Sequence, residues 1–132
     1  MVFHKDSYEA GRSKEIECLP KLKKLIDSDL FRLTDTFDSF DYFNGTDLYI
    51  ELKSRNIEYS KYPSVFMNNT KFKKIRDGFN YLFVFLYTDG LYYIEYDKDI
   101  FDKFESRQIW NSKFNRFYDL RLIPTNLLIK LE

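Results

Sequence analysis

Residues 40–56 read FDYFNGTDLYIELKSRN, and this stretch decides how the chain is organised. From residue 46 onward apolar and polar positions alternate. Leu48, Ile50 and Leu52 point one way, while Asp47, Tyr49, Glu51 and Lys53 point the other, which is the period of a strand with one apolar face. Asn44-Gly45 precedes it, and both residues tolerate positive φ, the strongest short-range hairpin signal. The segment before the turn, residues 31–43, mixes Phe, Thr and Tyr in rough alternation and reads as extended. Turn length decides which acid meets Glu51. A strict two-residue loop pairs Phe43 with Thr46 and sets Asp38 opposite Glu51, whereas a loop one residue longer brings Asp41 to the same face. Both remain open at this level.

Glu51 and Lys53 protrude together from the polar face of a strand whose other face is apolar. The structural explanation is a surface ion pair on a solvated edge strand, which contributes little to stability. A second carboxylate brought beside Glu51 changes the chemistry. Two such acids repel, and one pKa rises unless a cation neutralises them. Oxygen-only ligands favour Mg²⁺ or Mn²⁺ over Zn²⁺.

Working outward, residues 7–30 read as helix, with Ile16, Leu19, Leu22, Leu25 and Ile26 lining one face. Asp6 or Ser7 is the expected cap, with Glu9 or Glu15 near the positive end. Pro20 predicts a kink or a restart. Residues 68–78 read as a second helix capped by Asn68 or Asn69. The unbroken apolar run at 81–87, YLFVFLY, suits a strand buried on both faces. Asp89-Gly90 then turns the chain into LYYIEY. A short helix is expected at 97–105, a strand at 117–123, and a helical turn from Pro124 through Leu131. This order predicts an α/β fold, with helices flanking a mixed β-sheet, in a single domain over residues 1–132.

Composition narrows the options. Hydrophobic residues make up 44% of the chain, enough for a packed core and too much for a disordered one. Charge is balanced at 21 basic and 21 acidic residues, which weighs against a generic nucleic-acid binder. The basic residues nevertheless cluster, at Lys71, Lys73, Lys74 and Arg76 and again at Arg12, Lys14, Lys21, Lys23 and Lys24; a solvated helix face explains such runs equally well. A lone cysteine, Cys18, permits no internal disulfide and suits a reducing compartment. No membrane span and no signal segment are evident, so a cytoplasmic setting is expected. A single histidine, His4, excludes His-based nuclease motifs, and no glycine-rich phosphate loop is present.

The stretch FDYFNGTDLYIELKSRN resembles the core of the PD-(D/E)XK nucleases, the restriction-endonuclease-like superfamily. Asp41, Glu51 and Lys53 match the order and spacing of its Asp and acid-x-Lys triplet, although Phe40 stands where the family has proline. Gly11-Arg12-Ser13-Lys14-Glu15 matches the G-x-x-x-E arrangement on the first helix of many members, archaeal Holliday-junction resolvases among them. That makes Glu15 a fourth site residue, with Glu17 as its substitute. The order Ile16, Leu19-Pro20, Asp41-Tyr42 and Ile50 to Asn56 is similar to small nuclease-like proteins of phages and large DNA viruses, with Lys71 in place of their helix lysine. The resemblance covers roughly residues 11–96. It implies a Mg²⁺- or Mn²⁺-dependent DNA endonuclease in which Glu15, Asp41 and Glu51 hold the metal and Lys53 orients or deprotonates water. Lys71, Lys73, Lys74 and Arg55 would contact the phosphate backbone, and Tyr49, Tyr59 or Tyr62 would stack on bases or sugars. By analogy with the resolvases, a homodimer is the expected assembly. The alternative on the same fold is a catalytically inactive binding module acting on a protein or nucleic-acid partner.

Overall fold

A computed structural model describes residues 5–132, with side chains from Ala10 onward. The chain opens with helix α1, Lys5–Leu25, and continues as β1 (Phe31–Arg32), β2 (Tyr42–Phe43) and β3 (Leu48–Ser54). Next come β4 (Ser64–Asn68), a 3-10 turn at Asn69–Lys74, β5 (Asn80–Tyr87) and β6 (Gly90–Glu95). A short helix α2 (Lys98–Phe101), β7 (Ser106–Asn111), β8 (Arg116–Pro124), a 3-10 turn at Thr125–Leu127 and β9 (Ile129–Lys130) complete it.

Six strands form a mixed sheet in the order β1-β2-β3-β5-β6-β9, in which β3 and β5 are parallel and every other pair antiparallel. The chain is therefore mixed α/β around a mixed sheet. The two faces are covered differently, however. α1 covers one face through Cys18 and Leu22, against Tyr42, Ile50, Leu52 and Val84. The other face packs Tyr81, Phe83, Phe85 and Tyr87 against Val65 and Met67 of β4, Ile123 of β8 and Phe101 of α2. β4, β8 and β7 make a second, antiparallel sheet. A parallel pair needs a long crossover. Here the segment between β3 and β5 makes it as extended strand β4 plus a 3-10 turn rather than as a long helix.

The buried stripe of α1 differs from the expected one. It runs through Glu15, Cys18, Leu19, Leu22 and Ile26 at spacings of three and four, leaving Ile16 and Leu25 on its exposed flanks. The helix also continues through Pro20, on the solvent side, where water can take the carbonyl that loses its donor. Asp6 and Ser7 lie within the helix, not ahead of it. The caps expected from their side chains and from Glu9, together with His4, lie outside the described residues.

Two expected elements are shorter, and one is replaced. The helix at 68–78 contracts to the 3-10 turn, capped by Asn68. The helix at 97–105 contracts to α2, where Asp97 caps the N–H groups of Asp99 and Ile100. After Pro124 the helical turn stops at Leu127, and β9 follows to pair with β6. This closes an otherwise open edge, with Leu131 N–H donating to Leu91 O at 2.7 Å. Gly90 is needed at that closure, because φ is +153° and an added Cβ would lie 2.6 Å from Glu132 O. No helix of the described residues is long and apolar enough to cross a membrane.

Candidate active site

The turn at residues 44–48 sets the geometry. Asn44 Oδ1 accepts the N–H groups of Thr46, Asp47 and Leu48 at 3.0, 2.9 and 3.0 Å, and Gly45 takes φ +88°. Asn44 Nδ2 donates to Asp27 at 3.0 Å and to Asp47 at 2.9 Å, tying the turn to the end of α1. The loop is longer than either alternative read from the sequence, and it pairs Phe43 with Tyr49 and Tyr42 with Ile50. Carried one residue further, this register sets Asp41 across from Glu51. Asp41 N–H donates to Ile50 O at 3.0 Å, and its Oδ2 accepts Leu52 N–H at 2.7 Å. Asp38 instead closes a local turn, accepting Asp35 N–H at 2.8 Å.

Glu51 stands beside Phe83 in the parallel ladder and is only 4% exposed. Among the described residues it is the one charged side chain in the buried core. Two lysines meet it: Lys71 Nζ lies 3.0 Å and Lys53 Nζ 3.5 Å from Glu51 Oε2. Lys71 also donates to Ser39 O and sits over the Phe40 ring at 5.2 Å. Lys71 was expected at a phosphate backbone. It instead reaches into the acid cluster from the 3-10 turn. Lys73 and Lys74 stay exposed on that turn, and Lys74 joins Arg76 on the wall of a separate cavity of about 320 Å³.

Glu15 comes from the inward stripe of α1. Its carbonyl accepts the Tyr42 hydroxyl at 2.6 Å, and its carboxyl shares a hydrogen bond with Asp41. The alternative acid, Glu17, pairs with Lys14 at 3.5 Å on the solvent side. The three carboxyls thus form a chain, Glu15 to Asp41 to Glu51. Burial, then the bond to Glu15, pushes the Asp41 carboxyl up to about 6, against the opposing pull of the Leu52 N–H. Burial, then the charge of Asp41, pushes Glu51 up to about 7, with Lys53 and Lys71 opposing. Among the described residues no three His, Cys, Asp or Glu side chains gather as a metal-binding group. Asp41 and Glu51 still offer hard oxygen donors, and the burial that chiefly raises their pKa values penalises a charge that a divalent cation would neutralise. The donor set fits Mg²⁺ or Mn²⁺.

A polar cleft of about 260 Å³ opens beside Glu15 and Asp41, lined also by Arg12, Arg32 and Asp38. Arg32 was not anticipated. Among the described residues its Nε is buried without a hydrogen-bond partner, and it follows Phe31 in a two-residue strand too short to display a pattern. Of the tyrosines considered for stacking, Tyr49 is already stacked on Phe43 at 4.3 Å, and Tyr59 on Tyr92 at 4.3 Å. Tyr62 remains more than half exposed. Arg55, beyond the end of β3, faces a different cavity from the acids. The chain matches no family model, no curated protein and no solved structure.

Proposed function

We propose that this chain is a metal-dependent endonuclease of restriction-endonuclease-like fold, hydrolysing phosphodiester bonds in DNA at Asp41, Glu51 and Lys53. One observation carries the reading. Asp41 is held by the Leu52 N–H directly across from the buried Glu51, with Lys53 on the same strand face. A carboxylate pair is costly in such a dry setting, and a structural core has no need of it.

Each group has a task. Asp41 and Glu51 would hold Mg²⁺ or Mn²⁺, with Glu15 holding Asp41 in place or acting as a further ligand. The bound metal supplies Lewis acidity toward a phosphate oxygen and an acidified water. Lys53, at the half-open rim, positions that water and offsets phosphate charge. Arg12 and Arg32 in the cleft would take non-bridging phosphate oxygens. Lys73, Lys74 and Arg55 remain candidates for the flanking backbone. The fold presents too little surface to enclose a duplex, so two copies acting together is the assembly we propose.

A second reading, a binding module without catalysis, is favoured by Lys71. With Lys53 it balances Glu51 without any ion. Cleavage assays on supercoiled plasmid, single-stranded DNA and a four-way junction separate the two, run with Mg²⁺, Mn²⁺ or EDTA alongside Glu51→Ala. Metal-dependent cutting that disappears in the variant is the expected result. No cutting of any substrate, with no thermal shift on adding metal, would establish the binding module instead.

A further inference from the structure

A further cavity lies away from the acids, where β3 ends. It measures about 440 Å³, within the range of small-ligand sites, and its walls are mostly apolar: Ile57, Tyr59, Val65, Phe66, Tyr87 and Leu122. One cation is built into it. Arg55 N–H donates to Leu86 O at 2.8 Å, continuing the β3–β5 ladder and fixing where the side chain starts. Its guanidinium donates to Ser54 O and Phe66 O at 3.2 Å each. These bonds leave other donors of the fork unused, since arginine carries five. Among the described residues Arg55 has no carboxylate within ion-pair distance, and burial pulls its pKa below the ordinary value. The nearby acid Asp89 accepts Tyr59 N–H at 3.0 Å, and Arg107 at the rim is matched by Glu105 at 3.2 Å. A half-buried cation without a counter-charge, set among aromatic walls, calls for an anion attached to something flat and apolar.

Its place on the strand is informative. Lys53 and Arg55 alternate onto the same face, so their Cα atoms are about 6.8 Å apart. Successive phosphates of an extended polynucleotide have a similar separation. Tyr62 stands at the mouth, exposed, and its backbone carbonyl accepts the Thr125 hydroxyl at 3.1 Å, which anchors it to the opposite wall.

We propose that this cavity receives one unpaired nucleotide, its phosphate on Arg55 and its base against Tyr62 and the apolar wall. The proposal rests on the nuclease reading for the neighbouring phosphate at Lys53, and it narrows the substrate to DNA with an unpaired or readily opened nucleotide beside the cut. A base held inside a duplex could not enter, because it would first have to leave the stack.

The test measures binding, not cleavage. A fluorescein-labelled oligodeoxythymidylate is titrated into metal-free Glu51→Gln protein by anisotropy, and a blunt duplex is titrated in parallel. Single strand should bind more tightly than duplex. Tyr62→Ala, added to Glu51→Gln, should weaken single-strand binding by about tenfold and leave duplex binding unchanged, and Arg55→Gln should weaken single-strand binding by a similar factor. Tyr62 is exposed, so its loss cannot unfold the chain. Unchanged single-strand affinity in the Tyr62→Ala protein overturns the proposal, as does a preference for duplex. If oligonucleotide binding behaves as expected while no DNA is ever cut, the nuclease reading falls and the nucleotide cavity stands.

Discussion

At Glu51 the polar face of β3 is dry and crowded with charge: three linked carboxyls, two lysines and a ring stacked beneath one of them. At Arg55, further along the same face, the surroundings are mostly tyrosine and aliphatic carbon, and among the described residues no acid pairs with its guanidinium. The same backbone alternation built both. The difference lies in what the neighbouring elements bring. β2 and α1 deliver carboxyls to the first position, because the Asn44 turn sets the register and Glu15 falls on the buried helix stripe. The crossover segment delivers aromatics to the second. Electrostatic strain is concentrated where chemistry is proposed, and shape complementarity where recognition is proposed.

The sharpest way to break this contrast is Lys53→Ala. If the acid end performs catalysis, metal-dependent cleavage falls by roughly a thousandfold while the chain folds as before. Plasmid relaxation and circular dichroism measured together check it. Retained cleavage would remove Lys53 from the site.

A smaller effect should appear in stability against pH. The ordinary values of Asp41 and Glu51 are 3.8 and 4.5, and the folded values are about 6 and about 7. Between those limits the folded state holds more protons than the unfolded one, so stability decreases as pH rises. From these two groups alone, the metal-free protein should be most stable below about pH 4, lose several kcal/mol by pH 8, and change little above that. Urea titrations at a series of pH values measure it. Glu51→Gln should flatten the slope, and Mg²⁺ at pH 8 should restore part of the loss. A metal-free stability that rises between pH 4 and 8 would mean the acids are already neutralised within the fold.

The smallest effect concerns the helix-borne acid. Tyr42→Phe removes the bond to Glu15 O and should cost about 1 kcal/mol in urea unfolding. If α1 is held in place by packing alone, the cost will be near zero.

How much of this was legible in the sequence depends on whether an element has one buried face. β3 and β5 were readable, the first by alternation and the second by its unbroken apolar run. β4 was not anticipated, although Val65 and Met67 alternate inward, because five residues after Pro63 give too short a pattern. β7 could not have been: each of its residues is exposed or half-exposed, so neither face carries a hydrophobic signal. At the site, the sequence left Asp38 and Asp41 both open as the acid beside Glu51, and the loop that sets Asp41 there is longer than either reading allowed. The hydrogen bonds of a single amide side chain decide it, which periodicity does not encode. Glu15 was named as a site residue by resemblance alone, since the apolar stripe read from the sequence began at Ile16, whereas in the fold Glu15 shares the inward stripe with Cys18, Leu19 and Leu22. Lys71 was read as a phosphate contact, and nothing in its local sequence tells that the crossover folds back over Glu51.

The amide of Asn44 also gives the molecule a clock. An Asn followed by Gly is the sequence most prone to lose ammonia and become a carboxylate with age or heat. Here the amide oxygen is occupied by three backbone N–H groups and the amide nitrogen lies between Asp27 and Asp47. That clamp holds the group away from the cyclising geometry while the fold is intact. Once the reaction occurs, a third negative charge stands between two others, and the Nδ2 donor that ties the turn to Asp27 and Asp47 is gone. Shelf life and site geometry are therefore governed by the same side chain.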